Sequence, residues 1–207
     1  MAVSFESFKN YYAPDGAAWA YERQALVKLR PIIGDLELNN ELCRLRDVYV
    51  YESGPFDVTA MRAMRERQVR HLVTGGTFNA KFSPGGLVDI EYLIQGLQIN
   101  HGVQNPSLRL TNLADAMSAL DAAGILSEED HNHLRKAYTF LRWLIDSLRV
   151  VRGNSKDVTM PPVGSDEFLF LARRLGYEQD VKHLSDDLAR YVADVQEINA
   201  RLLGRDG

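Results

Sequence analysis

The sequence predicts an all-α fold, an up-down helical bundle in which long antiparallel helices are joined by short connections. Two observations favour this fold class. Apolar residues recur at three- and four-residue spacing in several long segments, which is the pattern of one buried helix face. In the segment that begins at Leu87, apolar side chains cover most of the circumference, which is typical of a helix in the middle of a bundle.

The composition is that of an ordinary globular protein without a membrane span. Of the 207 residues, 45% are hydrophobic and 25% are charged, so the chain can bury a substantial core. The net charge of −4 provides no general basic field for nucleic acid. A single cysteine, Cys43, excludes an internal disulfide and fits a reducing compartment. Because there is also no long apolar run and no signal-peptide pattern, we expect a cytoplasmic protein.

The first 55 residues are predicted to form a separate N-terminal segment. Asp15 can cap a helix that runs from Trp19 to Leu26. The stretch 29–33 is expected to be extended, because its second residue precedes a proline. After a turn, Asp35 can cap a helix from Leu36 to about Tyr49.

Residues 56–207 are predicted to form the main helical bundle. Each of its helices shows an apolar stripe, and most have a polar capping residue at the start or a glycine at the end. The predicted helices run from Asp57 to about Val73, from Leu87, from Thr111 or Asn112 to Gly124, from Ser127 to about Arg152, from Ser165 or Asp166 to Gly176, and from Val181 to Leu202.

Two carboxylates lie in the first turns of the helix that begins at Leu87. At about 100° per residue, Glu91 falls on the edge of the main apolar stripe. Asp89 points to roughly the opposite side, where it can reach the free N–H groups of the first turn. A buried carboxylate needs a cationic or hydrogen-bonding partner, so both side chains are candidate site residues.

Two interpretations of these acids stay open on the sequence alone. In the first, Asp89 caps its own helix and a buried Glu91 pairs with a core arginine, for which Arg62 and Arg65 are the candidates. In the second, the Gly85-Gly86 turn lets a phosphate or a partner's backbone approach the N-terminus of the helix.

The stretch 85–92 also carries a resemblance to a known family. Its sequence, Gly-Gly-Leu-Val-Asp-Ile-Glu-Tyr, resembles the Gly-Gly-x-x-Asp-Ile-Glu-Phe signature of glutamine synthetase adenylyltransferase, also called the adenylyl-removing enzyme, with Tyr92 in place of phenylalanine. The signature implies the helical domain that follows a nucleotidyltransferase domain. Residues 19–35 are similar to the helix and strand that close the nucleotidyltransferase domain, so the resemblance implies that residues 1–55 are the end of that domain.

The resemblance implies AMP transfer from ATP to a tyrosine of glutamine synthetase, or removal of that AMP by phosphorolysis. Such chemistry needs two or three carboxylates that hold Mg²⁺. The only similar stretch here, residues 164–168, lacks the second acid two residues after Asp166 and opens a helix. We therefore predict that this chain has no catalytic residues, metal or cofactor of its own. ATP and Mg²⁺ are implied for the family's catalytic domain, and the implied partners are that domain and glutamine synthetase, with no nucleic acid or membrane.

Arginines form a second candidate surface on the predicted helix 127–152. Arg135, Arg142 and Arg149 recur every seven residues along one flank, with Asp146 within pairing reach. The resemblance places Arg142 at the arginine of the family's Leu-Arg-x-Leu segment. The complete set of candidate contact residues for substrate or for another domain is Gly85, Gly86, Asp89, Glu91, Arg62, Arg65, Arg142 and Arg149.

The sequence leads to one expectation about docking and leaves two other functions open. We expect the Gly85-Gly86 turn and Asp89 to face the docked catalytic domain, so that valine at Gly86 would leave the isolated bundle folded. The first alternative is a stand-alone helical interaction module with no nucleotidyltransferase role. The second is a small metal-dependent enzyme using Asp89 and Glu91, which is disfavoured because the two acids diverge on the helix.

Overall fold

The computed structural model describes residues 3–13, 15–19, 21–154, 157–178 and 180–204, and this part of the chain is all helical, which confirms the predicted fold class. Its only β-type pairing is an isolated bridge between Asn79 and Thr159. The helices are α1 (Phe5–Tyr11), α2 (Glu22–Leu26), α3 (Leu36–Tyr51), α4 (Val58–Leu72), α5 (Leu87–His101), a 3₁₀ turn (Pro106–Leu108), α6 (Leu113–Ala122), α7 (Glu128–Arg152), α8 (Asp166–Arg174) and α9 (Val181–Leu203).

Side-chain caps fix the starts of most helices where the sequence places them. Asp35, Asn112, Ser127 and Ser165 each accept a hydrogen bond from a backbone N–H in the first turn of α3, α6, α7 and α8. Gly153, which has φ 60°, ends α7 in the left-handed conformation that glycine tolerates. No helix in the described residues is long and apolar enough to cross a bilayer.

The prediction for α2 is wrong at its start. The helix begins at Glu22 and not at Trp19, and Asp15 does not cap it. The reason is that the Glu22 carboxylate accepts hydrogen bonds from the backbone N–H of Trp19 at 3.2 Å and from the hydroxyl of Tyr11 at 2.8 Å. These bonds hold residue 19 in a turn ahead of the helix. Ala20, part of the predicted helix, lies outside the described residues.

The chain packs as two compact units. Unit 1 comprises residues 1–61 and 94–126, and unit 2 comprises residues 62–93 and 127–207. The boundary at residue 55 that the sequence suggests stays a prediction.

Unit 1 is organised around a small apolar cluster and a buried arginine. The cluster consists of Leu26, Val27, Val50, Tyr51 and Ile99. Arg23 donates hydrogen bonds to the carbonyl oxygens of Val50 at 2.8 Å, Gly54 at 2.5 Å and Pro55 at 3.0 Å. These charge-assisted bonds satisfy carbonyl groups at and after the end of α3 and fix the connection to α4.

Unit 2 is built on the long helices α7 and α9, with α8 packed against both. The predicted core stripe of α7 is confirmed as buried, and its members are Leu134, Ala137, Leu141, Ile145 and Leu148. An ion pair between Asp130 of α7 and Arg201 of α9 joins the start of one helix to the end of the other. The Ser127 hydroxyl donates a second hydrogen bond to Asp130 at 2.7 Å.

Asp130 gives the fold a testable dependence on pH. Burial raises the pKa of this carboxyl, but hydrogen bonds from Arg201 and Ser127 outweigh burial and bring the pKa below its ordinary value of 3.8. The ionised Asp130 carboxylate therefore stabilises the folded state at pH values above its unfolded-state pKa. This stabilisation is lost as the pH falls through the lower pKa of the folded state. Because Arg201 is partly exposed, we expect Asp130→Asn to lower the free energy of unfolding at pH 7 by about 1–2 kcal/mol.

Urea unfolding at pH 7 and at about pH 3 would check this expectation. The difference between wild type and Asp130→Asn should shrink at the lower pH. Asp146→Asn, on the exposed face of the same helix, is the matched control and should change stability little at either pH. A constant difference across the pH range would show that charge at Asp130 is not the cause.

Candidate functional site

The turn before α5 is closed by its own backbone. The N–H of Gly86 donates to the carbonyl of Ser83 at 2.8 Å, and the next two N–H groups, of Leu87 and Val88, donate to the carbonyls of Ala80 and Lys81 at 3.0 and 3.1 Å. The N–H of Asp89 donates to the carbonyl of Gly86 at 3.0 Å. The donors at this helix N-terminus are therefore already paired. A phosphate at this position would have to displace these bonds, so the geometry does not favour the interpretation as a phosphate site.

The two glycines are required by contacts within unit 2. Gly85 has φ +78°, and a Cβ there would lie 2.6 Å from both the carbonyl oxygen and Cγ1 of Val192 in α9. A Cβ at Gly86 would lie 2.9–3.1 Å from the carbonyl oxygens of Ser83, Ala80 and Lys81. The close backbone contacts that a double glycine indicates are therefore contacts within this chain. The same close contacts predict that valine at Gly86 destabilises the bundle, contrary to the expectation from the sequence.

Asp89 connects this turn to α4 through Arg65. Its Oδ1 lies 2.5 Å from Nε of Arg65, and its Oδ2 accepts a hydrogen bond from the N–H of Gly85 at 2.6 Å. Arg65 is 8% exposed and also donates from Nη2 to the carbonyl of Ser83 at 3.0 Å. One buried arginine and one carboxylate therefore hold both ends of the turn. Asp89 therefore anchors the turn before α5, and it does not cap the helix, because the first-turn N–H groups bond to backbone carbonyls instead.

Glu91 and Arg62 lie differently from the expectation. Glu91 is half-buried and not buried. Arg62 is exposed, and its Nη2 donates to the carbonyl of Leu203 at the end of α9, at 3.1 Å. The physical reason is that residues 89 and 91 lie about 200° apart around a helix, so the side of α5 that turns Asp89 towards Arg65 turns Glu91 away. The carboxylate that pairs with Arg65 is therefore that of Asp89.

Polar residues that the sequence reasoning missed complete the arrangement. The Ser83 hydroxyl accepts from the N–H of Asn79 at 2.8 Å, and Asn79 Oδ1 accepts from the N–H groups of Lys81 and Phe82 at 3.1 and 3.0 Å. An asparagine followed by a serine four residues later is a signal for such a turn and could have been recognised. Gln68 of α4 donates to the Tyr92 hydroxyl at 2.9 Å. These bonds make the turn a rigid part of unit 2.

The arginines of α7 lie on a different surface. Arg142 and Arg149 are exposed, and Arg149 lies 3.2 Å from the carboxylate of Asp146. No contact within the described residues joins either arginine to Asp89. The structure therefore brings Gly85, Gly86, Asp89 and Arg65 together and leaves the α7 arginines as a separate candidate surface.

The chemistry of the Asp89 arrangement is that of a structural anchor. Both carboxylate oxygens accept short hydrogen bonds from this chain, so the group holds the turn in place. Within the residues that the structure describes, no three His, Cys, Asp or Glu side chains are grouped so that they could hold a metal ion.

Comparison with known proteins gives the family. The family model described as GlnD PII-uridylyltransferase matches residues 59–203. The chain is 32% identical over 198 residues to the bifunctional glutamine synthetase adenylyltransferase/adenylyl-removing enzyme of Cutibacterium acnes, a match that covers 92% of this chain and 20% of that protein. The chain thus spans about a fifth of the length of this curated relative. The resemblance carried by residues 85–92 is confirmed, and the chain belongs to the glutamine synthetase adenylyltransferase/adenylyl-removing enzyme family, within the part that the GlnD PII-uridylyltransferase model describes.

Proposed function

We propose that this chain is the helical partner of a nucleotidyltransferase domain that transfers AMP to, or removes it from, a tyrosine of glutamine synthetase. The chain supplies the docking surfaces, and the other domain supplies the carboxylates that hold Mg²⁺ and ATP. The family membership supports the reaction class. The observation that carries the partner role is a set of exposed large apolar side chains in unit 1.

This apolar surface lies between residues 19 and 38. Ile32 and Ile33 are 90% and 93% exposed, which is unusual for adjacent β-branched residues. Several large apolar side chains exposed within a short stretch of chain are typical of interaction sites. The N-terminal apolar surface, as we call it, consists of Trp19, Tyr21, Ile32, Ile33, Leu36 and Leu38.

The backbone of this surface is suited to pairing with a sheet. Residues 29–32 lie outside the helices and turns and have no strand partner among the described residues. The guanidinium of Arg46 donates a hydrogen bond to the carbonyl of Leu29 at 2.9 Å. Isoleucine favours strands, and an extended segment can add to a sheet edge. We infer that residues 29–33 complete the sheet of the nucleotidyltransferase domain, as the resemblance of residues 19–35 implies.

The stretch that most resembles a catalytic motif supports the division of labour. Ser165 caps α8 by accepting from the N–H of Phe168 at 3.2 Å, and Asp166 lies exposed in the first turn. Asp166 therefore lies in the first turn of a helix, where its negative charge interacts favourably with the helix dipole. We infer that the paired carboxylates that hold Mg²⁺ come from the other domain.

Transfer of labelled AMP tests the proposed function. We expect this chain, incubated with α-labelled ATP, Mg²⁺ and glutamine synthetase, to give no incorporation above the blank. Adding the nucleotidyltransferase domain of the same protein should give incorporation that exceeds the activity of that domain alone. Incorporation by this chain alone, or equal activity of the catalytic domain with and without it, would contradict the proposal.

Charged substitutions in the N-terminal apolar surface separate docking from folding. We expect Ile32→Asp with Ile33→Asp to leave thermal unfolding of this chain nearly unchanged, because both side chains are exposed. The same change should abolish stimulation of the nucleotidyltransferase domain, since it places two carboxylates in an apolar contact. Val163→Asp, at an exposed position in the loop before α8, is the control and should keep the stimulation. Full stimulation by the double variant would place the docking surface elsewhere.

A further inference from the structure

A line of charge-assisted contacts ties the start of the 29–33 segment to the rest of unit 1. Asp47 of α3 lies at the middle of this line and bridges two arginines. Its Oδ1 accepts from Nε of Arg46 at 2.7 Å, and its Oδ2 accepts from Nη1 of Arg109 at 3.3 Å. Arg46 also donates from Nη1 to the carbonyl of Leu29 at 2.9 Å. One carboxylate therefore connects Arg109 to the arginine that holds the segment.

Arg109 is the fixed end of this line. Its Nε donates to the carbonyl of Gly102, the residue after the end of α5, at 2.8 Å. Its guanidinium carbon lies 5.0 Å from the centre of the Tyr51 ring, within the range of a cation–π contact. Tyr51 is buried, and a Cβ at Gly102 would lie 2.5 Å from its ring. The close packing of these three residues fixes the guanidinium that faces Asp47.

The charge of Asp47 is what holds the two arginines in this arrangement. Arg46 is 8% exposed and the side chain of Asp47 is 24% exposed, so solvent and salt screen their interaction only in part. Hydrogen bonds between charged groups are about twice as strong as neutral ones. A neutral side chain at position 47 would leave two guanidinium groups of like charge without the carboxylate between them, which disfavours the present position of Arg46.

The sequence after Leu29 carries this anchor to the exposed isoleucines. Pro31 fixes its own φ and keeps the preceding residue, Arg30, in extended conformations. Ile32 and Ile33 follow directly and belong to the N-terminal apolar surface. A segment that is held at its first residue and stiffened by proline loses less conformational entropy when it binds a partner.

We propose that Asp47 is a positioning residue for docking: it holds Arg46 on the carbonyl of Leu29 and so presents the 29–33 segment in an extended conformation before a partner binds. The inference rests on the proposed function for the identity of that partner, the nucleotidyltransferase domain. The anchor itself is a property of this chain alone. Asp47 does not belong to the N-terminal apolar surface, so it acts on docking through the conformation of the segment.

Limited trypsin digestion of the isolated chain, followed by mass spectrometry, tests the anchor. Lys28 is the cleavage position next to Leu29, since trypsin does not cut between Arg30 and a proline. Cleavage of a native protein follows the population of the locally opened state when opening and closing are fast. We expect Asp47→Asn to accelerate cleavage after Lys28 by about fivefold or more. Cleavage after Arg70, at an exposed position of α4, reports general loosening and should stay unchanged.

Three further variants make this test specific. Asp47→Glu keeps the charge and should keep cleavage after Lys28 within about twofold of wild type. Glu41→Gln removes one negative charge from an exposed position of the same helix, and as the matched control it should do the same. Arg46→Lys cannot bond to both Asp47 and Leu29 in the same way and should accelerate cleavage after Lys28.

The trypsin experiment can overturn the anchor in two ways. Unchanged cleavage after Lys28 in Asp47→Asn would do so, and so would equal acceleration by Glu41→Gln. If Asp47→Asn accelerates cleavage after both Lys28 and Arg70, the comparison moves to Arg46→Lys, and unchanged cleavage after Lys28 in that variant refutes the anchor.

The docking role is measured in the AMP-transfer assay with rising amounts of this chain. Loss of pre-organisation by Asp47→Asn should raise the concentration that gives half-maximal stimulation of the nucleotidyltransferase domain about tenfold and leave the maximal stimulation unchanged. A purely structural role would lower stability without moving that concentration. Faster cleavage after Lys28 with an unchanged half-maximal concentration would therefore refute the positioning role. No stimulation by the wild-type chain would refute the proposed function, and the trypsin result would then decide the anchor by itself.

Discussion

Replacing Asp89 with alanine is expected to lower the free energy of unfolding by about 3 kcal/mol, the lower end of the usual cost of removing one member of a buried ion pair, because the Asp89 side chain is 18% exposed. The change leaves the guanidinium of Arg65, which is 8% exposed, without its carboxylate. It also leaves the N–H of Gly85 without an acceptor at the turn. Denaturant unfolding monitored by circular dichroism measures the loss.

The matched control for this change is Glu66→Ala on the exposed face of α4, which should alter stability by no more than about 0.5 kcal/mol. Arg65→Lys provides a second comparison, because an ammonium group cannot reproduce the two directed bonds to Asp89 and Ser83. We expect this variant to be clearly destabilised as well. Equal, small effects of Asp89→Ala and Glu66→Ala would show that the pair does not anchor the turn.

Gly85→Ala is the second substitution with a large expected effect. A left-handed conformation costs a non-glycine residue roughly 1–2 kcal/mol. At Gly85 the added methyl group would also lie 2.6 Å from the carbonyl oxygen of Val192, so α9 would have to move. Overpacking of this kind costs about 1–3 kcal/mol more.

Gly176→Ala separates the two contributions. Gly176 has φ +80°, close to the +78° of Gly85, but a Cβ there meets no atom within 4 Å. We expect Gly85→Ala to be more destabilising than Gly176→Ala by about the cost of the clash with α9. Val192→Ala in the Gly85→Ala background should restore only part of the loss, because it removes Cγ1 but keeps the carbonyl oxygen. Equal destabilisation by the two glycine substitutions would contradict the close packing against α9.

The helices could be predicted from local signals because those signals agree with the packing. Ser127 and Gly153 mark the ends of α7, and the stripe from Leu134 to Leu148 marks its buried face. The start of α2 could not be predicted in this way. Glu22 bonds to Trp19 and Tyr11, and the bond to Tyr11 joins residues eleven apart, beyond the reach of a capping pattern.

The candidate site could be predicted in its residues but not in its pairing. The sequence shows that Asp89 and Glu91 diverge on the helix, but the direction from which α4 approaches is a tertiary property. Only the structure shows that Arg65 meets Asp89. The exposure of Ile32 and Ile33 was likewise not predictable, because apolar residues are expected inside when a sequence is considered alone.

The central claim is that the N-terminal apolar surface of this chain docks on a nucleotidyltransferase domain. Amide hydrogen exchange of residues 29–38, measured by mass spectrometry with and without that domain, tests it most directly. The account predicts that exchange at Ile32 and Ile33 is fast in the isolated chain and slows strongly in the complex, as backbone N–H groups join a sheet. Formation of an active complex with no change in exchange across these residues would contradict it.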